Sequence, residues 1–210
     1  MRLATLLVLG FIAIGCSRSN DNMTRFHEDG RAKPVVAIAA MIDTTSYEAP
    51  WSLSEEFTTS LVRKIGASQQ IYVIARDDDP LSDNPFGPDL SWIKQSFPNE
   101  EFVVFLELVE HVVLPAKETN LVSPQEVSSN LNMAVRVRVV DLRSATPKVV
   151  LQEKIRDSYF IPKTLIPTNY NAIVWGSEEY MKSPMGIAHS QMIDEMAARI
   201  IDYVLLAKSR

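Results

Sequence analysis

Two stretches that face each other across a short turn constrain this chain most. Leu131, Met133, Val135, Val137 and Val139 alternate with Asn132, Ala134, Arg136 and Arg138. That period of two sets one row of side chains against a core and the other toward water. Residues 141–147 turn the chain, and residues 148–159 return with Val149, Leu151 and Ile155 opposed to Val150, Gln152, Lys154 and Arg156. The pattern predicts an antiparallel hairpin of long strands. A hairpin with one apolar face is not stable alone, so the rest of the chain must supply further strands and a cover. Arg136, Arg138, Lys154 and Arg156 share the polar face. They form either a small basic patch or ion pairs with Glu107, Glu110 or Glu153, and the paired arrangement is the preferred reading.

The remaining elements fit that need. Residues 34–41 are a continuous apolar run of strand length, the mark of a strand buried on both faces. Ser52-Leu53-Ser54-Glu55 reads as a capping box, in which a Ser oxygen and a Glu carboxylate satisfy free amide donors. Leu53, Phe57, Leu61 and Ile65 follow at steps of four with Val62 beside them, so a helix with one apolar stripe runs to Gly66. Residues 71–75 form a second strand. A short helix over 89–97 is capped by Asp89, and Trp92 in it is a packing residue. Residues 101–114 are a strong strand that contains His111. Residues 185–208 form a long helix with Met192, Ile193, Met196, Ile200, Val204 and Leu205 on its apolar side. His111 and His189 are read as structural. The expected fold is an α/β (α+β) sandwich: a mixed, mainly antiparallel sheet with helices packed on it, a strand-helix-strand start and a long C-terminal helix.

The start of the chain carries a different signal. Arg2 precedes an apolar run over 3–14, then Ala13-Ile14-Gly15-Cys16. A short positive segment, a brief apolar stretch and a small residue before a cut describe a signal peptide over 1–15. The run is too short to span a bilayer, which needs about 20 apolar residues. Cys16 is the sole Cys of the 210 residues, so no intramolecular disulfide forms and a free thiol would be a liability in an oxidising compartment. The segment resembles a bacterial lipobox, although Ala13 stands where Leu is preferred. The resemblance implies acylation of Cys16 and membrane attachment through N-terminal acyl chains. Ser17, where an Asp would retain the protein at the inner membrane, implies the outer membrane, facing the periplasm. Residues 16–33 are polar, mixed in charge and without period, and read as lipidated N-terminus and flexible tether. His27 within them is solvated. Residues 34–208 are expected to form a single globular domain.

Composition narrows the partners. Residues 1–15 hold one of the 21 basic residues and none of the 26 acidic ones, so the rest carries a formal charge of −6. That balance argues against nucleic acid, or anionic lipid, as the main partner. There is no Gly-x-Ser-x-Gly elbow, no phosphate-cradling Gly-rich loop and no His-Glu-x-x-His, and the three His are scattered. The chain is therefore read as a non-enzyme without catalytic residue, metal or cofactor. The acid run 77–79 lacks the alternating acids of a calcium loop and reads as solvated. Residues 160–184 are irregular and aromatic. Tyr170, Trp175 and Tyr180 there are the candidate partner-binding residues, with a role in capping the core as the other reading.

Leu-Ser-Glu-Glu-Phe-Thr-Thr-Ser-Leu-Val-Arg-Lys-Ile (53–65), after a buried strand and before Ile-Tyr-Val-Ile-Ala-Arg (71–76), is similar to the opening of the CsgG/LpoB-like envelope lipoproteins and of the TolB N-terminal domain. Residues 134–141 resemble that group's strand ending in Asp before a hairpin turn. The resemblance covers 34–207 in element order, with no counterpart for 160–184, and uncharacterised lipoproteins of chlamydia-like bacteria are a further resemblance. It implies a lipid-anchored periplasmic adaptor docking on an envelope protein machine, as LpoB-like proteins dock on peptidoglycan synthases. The alternatives are an oligomeric assembly or secretion component of CsgG type, and a lipid or lipopolysaccharide assembly factor. The crossing 115–130 is too polar to supply membrane-spanning strands, which lowers the pore reading but leaves a homo-oligomer.

Overall fold

The computed structural model describes residues 24–76, 83–116, 128–165 and 168–210. Cys16, the expected signal peptide over 1–15 and the acid run 77–79 lie outside them. One six-stranded sheet runs β3-β1-β4-β5-β6, with β2 beside β4. β1 (Val35–Ala39) pairs in parallel with β3 (Tyr72–Arg76) and β4 (Phe102–Pro115), and β2 (Ile42–Asp43) also pairs in parallel with β4. β4, β5 (Ser129–Asp141) and β6 (Lys148–Ile161) are antiparallel neighbours. The sheet is thus mixed, as expected, with its parallel part at the strand-helix-strand start.

Helix α1 (Leu53–Ala67) begins where the Ser52 side chain accepts from the Glu55 amide. Its stripe of Leu53, Phe57, Leu61 and Ile65 is buried. It lies beside α4 (Pro184–Lys208), whose Met192, Met196, Ile200 and Val204 are fully buried, and both cover one sheet face. Burial of each such side chain stabilises by about 1.5–3 kcal/mol. Lys64 on α1 pairs with Asp194 on α4 at 2.6 Å.

Among the described residues the other face is closed over β1, the start of β4 and the end of β5. Helix α2 (Ile93–Ser96) is one turn long, shorter than expected, and Asp89 bonds the Ser91 amide in a turn before it. Ile93 and Phe97 pack on Ala37, Val103 and Phe105. Arg138 ties down the preceding loop: it is buried, and its guanidinium donates to the carbonyls of Pro85, Phe86 and Gly87 and to Gln152. The rest of that face is wet. Arg136 pairs with Glu107 at 3.0 Å and Arg156 with Glu110 at 2.7 Å. Glu153 lies under α4 instead and meets Arg199 at 3.0 Å. The four basic residues therefore split into one clamp, Arg138, two ion pairs, at Arg136 and Arg156, and the exposed Lys154.

Two bulges re-phase the sheet. The shift between Val139 and Val140 lets Val150 pack on the helix side while Val149 is turned out at 40% exposure, the reverse of simple alternation. The shift between Leu108 and Glu110 matches His111, rather than Glu110, to the inward Met133. Residues 24–33 also differ from a free tether. Phe26 bridges to Ala32, the Lys33 amide donates to the Arg25 carbonyl, and the Arg25 guanidinium lies 5.0 Å from the Tyr72 ring.

Candidate functional site

Under the start of α4 the apolar core gives way to a polar cluster. Four groups meet there from four elements: Glu56 on α1, His111 on β4, Tyr180 on α3 (Glu178–Lys182) and His189 on α4. Each sits at an inward position of its element. Glu56 adjoins the stripe residue Phe57, and His189 lies in phase with Met185 and Met192. Glu56 and His189 are each 1% exposed, His111 and Tyr180 4%.

Their hydrogen bonds close on one another. The Tyr180 hydroxyl donates to Glu56 Oε1, and His189 Nδ1 lies 2.9 Å from both that oxygen and the Tyr180 oxygen. Trp51 Nε1 donates to Glu56 Oε2 at 2.7 Å. His189 Nε2 faces His111 Nε2 at 2.9 Å, so one ring donates and the other accepts. Among the described residues His111 Nδ1 has no partner, and the Tyr47 ring lies 4.3 Å from the imidazole.

Burial alone would raise the Glu56 carboxyl, but hydrogen bonds from His189, Tyr180 and Trp51, with the His189 charge, outweigh it and hold the group below its usual range. Burial, then the neighbouring His189 charge, pushes His111 down to about 4. Burial followed by the Glu56 charge drives the Tyr180 hydroxyl up, so it stays a donor. The cluster is a lock, satisfied except at His111 Nδ1. It fastens α3 and the start of α4 to α1 and β4, and every donor near the carboxylate is in use. Among the described residues no group of three or more His, Cys, Asp and Glu is arranged to hold a metal.

The lock fixes the surface above it. Tyr180, one of the three aromatics expected to meet a partner, is turned inward. Tyr170 is half-buried, its hydroxyl accepts from the Met185 amide at 3.2 Å, and its ring meets Trp51 at 6.3 Å. Trp175 is half-buried. It lines a groove of about 230 Å³ with Met181, Arg63 and Ser190, and Glu56 and Tyr180 reach its floor. Three non-aromatic apolar residues face outward here: Val174 is 74% exposed, Met181 58% and Ile187 45%, while of the segment's aromatics Phe160, at its start, is 61% exposed. Gly186 lets α3 and α4 touch, because a Cβ there would lie 2.1 Å from the Tyr180 carbonyl oxygen. The sequence signal for this site was polar residues in phase with apolar stripes, at Glu56 and His189. Nothing local linked them to His111, which reaches the site through a bulge.

Comparison with known proteins supplies a family and a fold. A family model described as a family of unknown function, DUF7499, matches residues 22–208. No curated protein matches the chain. The chain is similar to the hypothetical protein CT253 from Chlamydia trachomatis at 26% identity and a TM-score of 0.68, covering 82% of this chain and 98% of that one. It shares its fold with protein XCC0632 from Xanthomonas campestris, of family DUF330, at 9% identity and a TM-score of 0.55, covering 85% and 90%. Structures that share less of the fold include lipoprotein GNA1162 from Neisseria meningitidis, at 8% identity and a TM-score of 0.35, covering 79% and 99%.

Proposed function

The chain belongs to the DUF7499 family, and on that premise we propose that it is a lipid-anchored binding module of the bacterial cell envelope, acting by docking rather than by catalysis. Acylated at Cys16, it is held at the outer membrane and faces the periplasm, where it meets a protein of an envelope machine. The resemblance to LpoB-like adaptors gives the reading its class of partner. One observation carries it: Val174 and Met181 stand outward on a segment whose Tyr170 and Tyr180 are hydrogen-bonded inward, with Ile187 outward beside them on α4. A preorganised apolar surface loses little freedom on binding, which favours association. The lock below also supports binding over catalysis, since its carboxylate, imidazoles and phenol are at least nine-tenths buried and engaged with one another. Among the described residues no helix is long and apolar enough to cross a membrane.

The test is cross-linking of the intact protein in its own cells, followed by identification of what is recovered. An envelope protein recovered with the natural chain, and lost with Val174→Asp plus Met181→Asp, is the expected result. Both sites are exposed, so the unfolding free energy should hold to within about 0.5 kcal/mol. Equal recovery with the double variant, or recovery of the protein's own multimers alone, would overturn the reading.

A further inference from the structure

The chain enters the domain at the end opposite the lock. There the Val35 amide donates to Glu101, the Glu101 amide to the Val35 carbonyl, and the Leu142 amide to the Glu101 carbonyl. The last turn of α4 closes on the same spot. Arg143 donates to the carbonyls of Ala207 and Lys208 while pairing with Asp141 at 2.7 Å, and Lys208 pairs with Glu101. Between the end of α4 and the start of β6 lies a groove of about 680 Å³. Its lining mixes two chemistries. Val149 and Tyr203 are 40% exposed and Leu206 50%. Arg143, Lys148 and Arg210 stand around them, and no described carboxylate forms an ion pair with Lys148 or Arg210. With Lys208, this end presents four cations to two side-chain carboxylates, Asp141 and Glu101, both already paired, and to the α-carboxylate of Arg210, on a chain whose overall balance is acidic.

Apolar side chains ringed by Lys and Arg suit the boundary between lipid headgroups and acyl chains. We propose that this end of the domain docks on an anionic phospholipid surface, with Leu206, Tyr203 and Val149 against the acyl boundary and Lys148 and Arg210 against headgroup phosphates. The orientation rests on the anchored reading above. From Cys16 to Thr24 the chain spans at most about 29 Å when fully extended, so the anchor keeps the entry end close to the bilayer. A tethered domain needs only a weak patch, because attachment turns docking into an intramolecular event. Docking here leaves the opposite end, with Val174 and Met181, pointing away from the membrane.

The experiment takes the protein as purified from its own envelope, reconstituted into vesicles of phosphatidylcholine alone or with phosphatidylglycerol, and follows amide exchange at 146–150 and 203–210. Protection should rise about five-fold or more with phosphatidylglycerol, fade in high salt, and vanish in Lys148→Glu plus Arg210→Glu. Lys154→Glu, on the wet sheet face, should leave it unchanged. Equal exchange in both vesicle types, or protection kept in the double variant, would overturn the proposal. The mass of the N-terminal peptide reports the anchor separately. An acylated peptide without protection refutes docking alone, protection with an unmodified peptide refutes the anchor alone, and the absence of both refutes both.

Discussion

Helix α4 is held by opposite chemistry at its two ends, which lie ~37 Å apart for 25 residues. Its first turns rest on buried, mutually satisfied polar groups, where His189, Glu56 and Tyr180 exclude water and Gly186 permits backbone contact with α3. Its last turn is capped from outside by Arg143, among exposed cations and aliphatic side chains. A buried network fixes one geometry at a high cost to any change, whereas exposed charges contribute little to stability and remain available to a ligand. On the proposed function the start of α4 is thus the rigid support of the protein-facing surface. Its end is a soft face suited to headgroups.

Substitutions should separate the two ends in order of size. Glu56→Ala leaves Tyr180, His189 and Trp51 without their acceptor, and chemical unfolding should show a loss of about 4 kcal/mol. Gly186→Ala forces α3 off α4 and should cost about 3 kcal/mol, with Val174 and Met181 exchanging faster. Acid should act on the same end. His111 titrates near 4 when folded and near 6.5 when unfolded, so the unfolded chain binds more protons between those values. Stability should fall by about 3 kcal/mol as pH drops from 6.5 to 4, and Glu56, held low, adds a further loss as it protonates. His111→Gln, which faces His189 with an amide that takes no proton, should flatten the first part of that slope. At the other end Arg143→Ala should cost only about 1 kcal/mol. Leu206→Ala should change stability by less than about 0.5 kcal/mol. A large cost at Arg143 with a small one at Glu56 would break the comparison.

The sequence carried the sheet and the helix layer because both rest on periodicity. The stripe from Leu53 to Ile65 and the alternation from Leu131 to Val139 needed no knowledge of distant contacts. The lock escaped because its geometry depends on a bulge in β4 that moves His111 to the inner face, and bulges leave no mark in a run of Val and Leu. For the same reason Val149 and Val150 exchange sides. Arg138 departs from its neighbours on the polar face, since one guanidinium can be buried when three loop carbonyls meet it. In the aromatic segment, composition showed that something is held there. It did not show that Tyr180 turns inward while Val174 and Met181 turn out, because that choice is made by Glu56, more than a hundred residues away.

The most direct test of two ends with two tasks is photo-cross-linking in the native envelope from single positions, Met181 at one end and Leu206 at the other. The account expects a protein adduct from Met181 and a phospholipid adduct from Leu206. Phospholipid at Met181 with protein at Leu206, or the same partner at both, would contradict it.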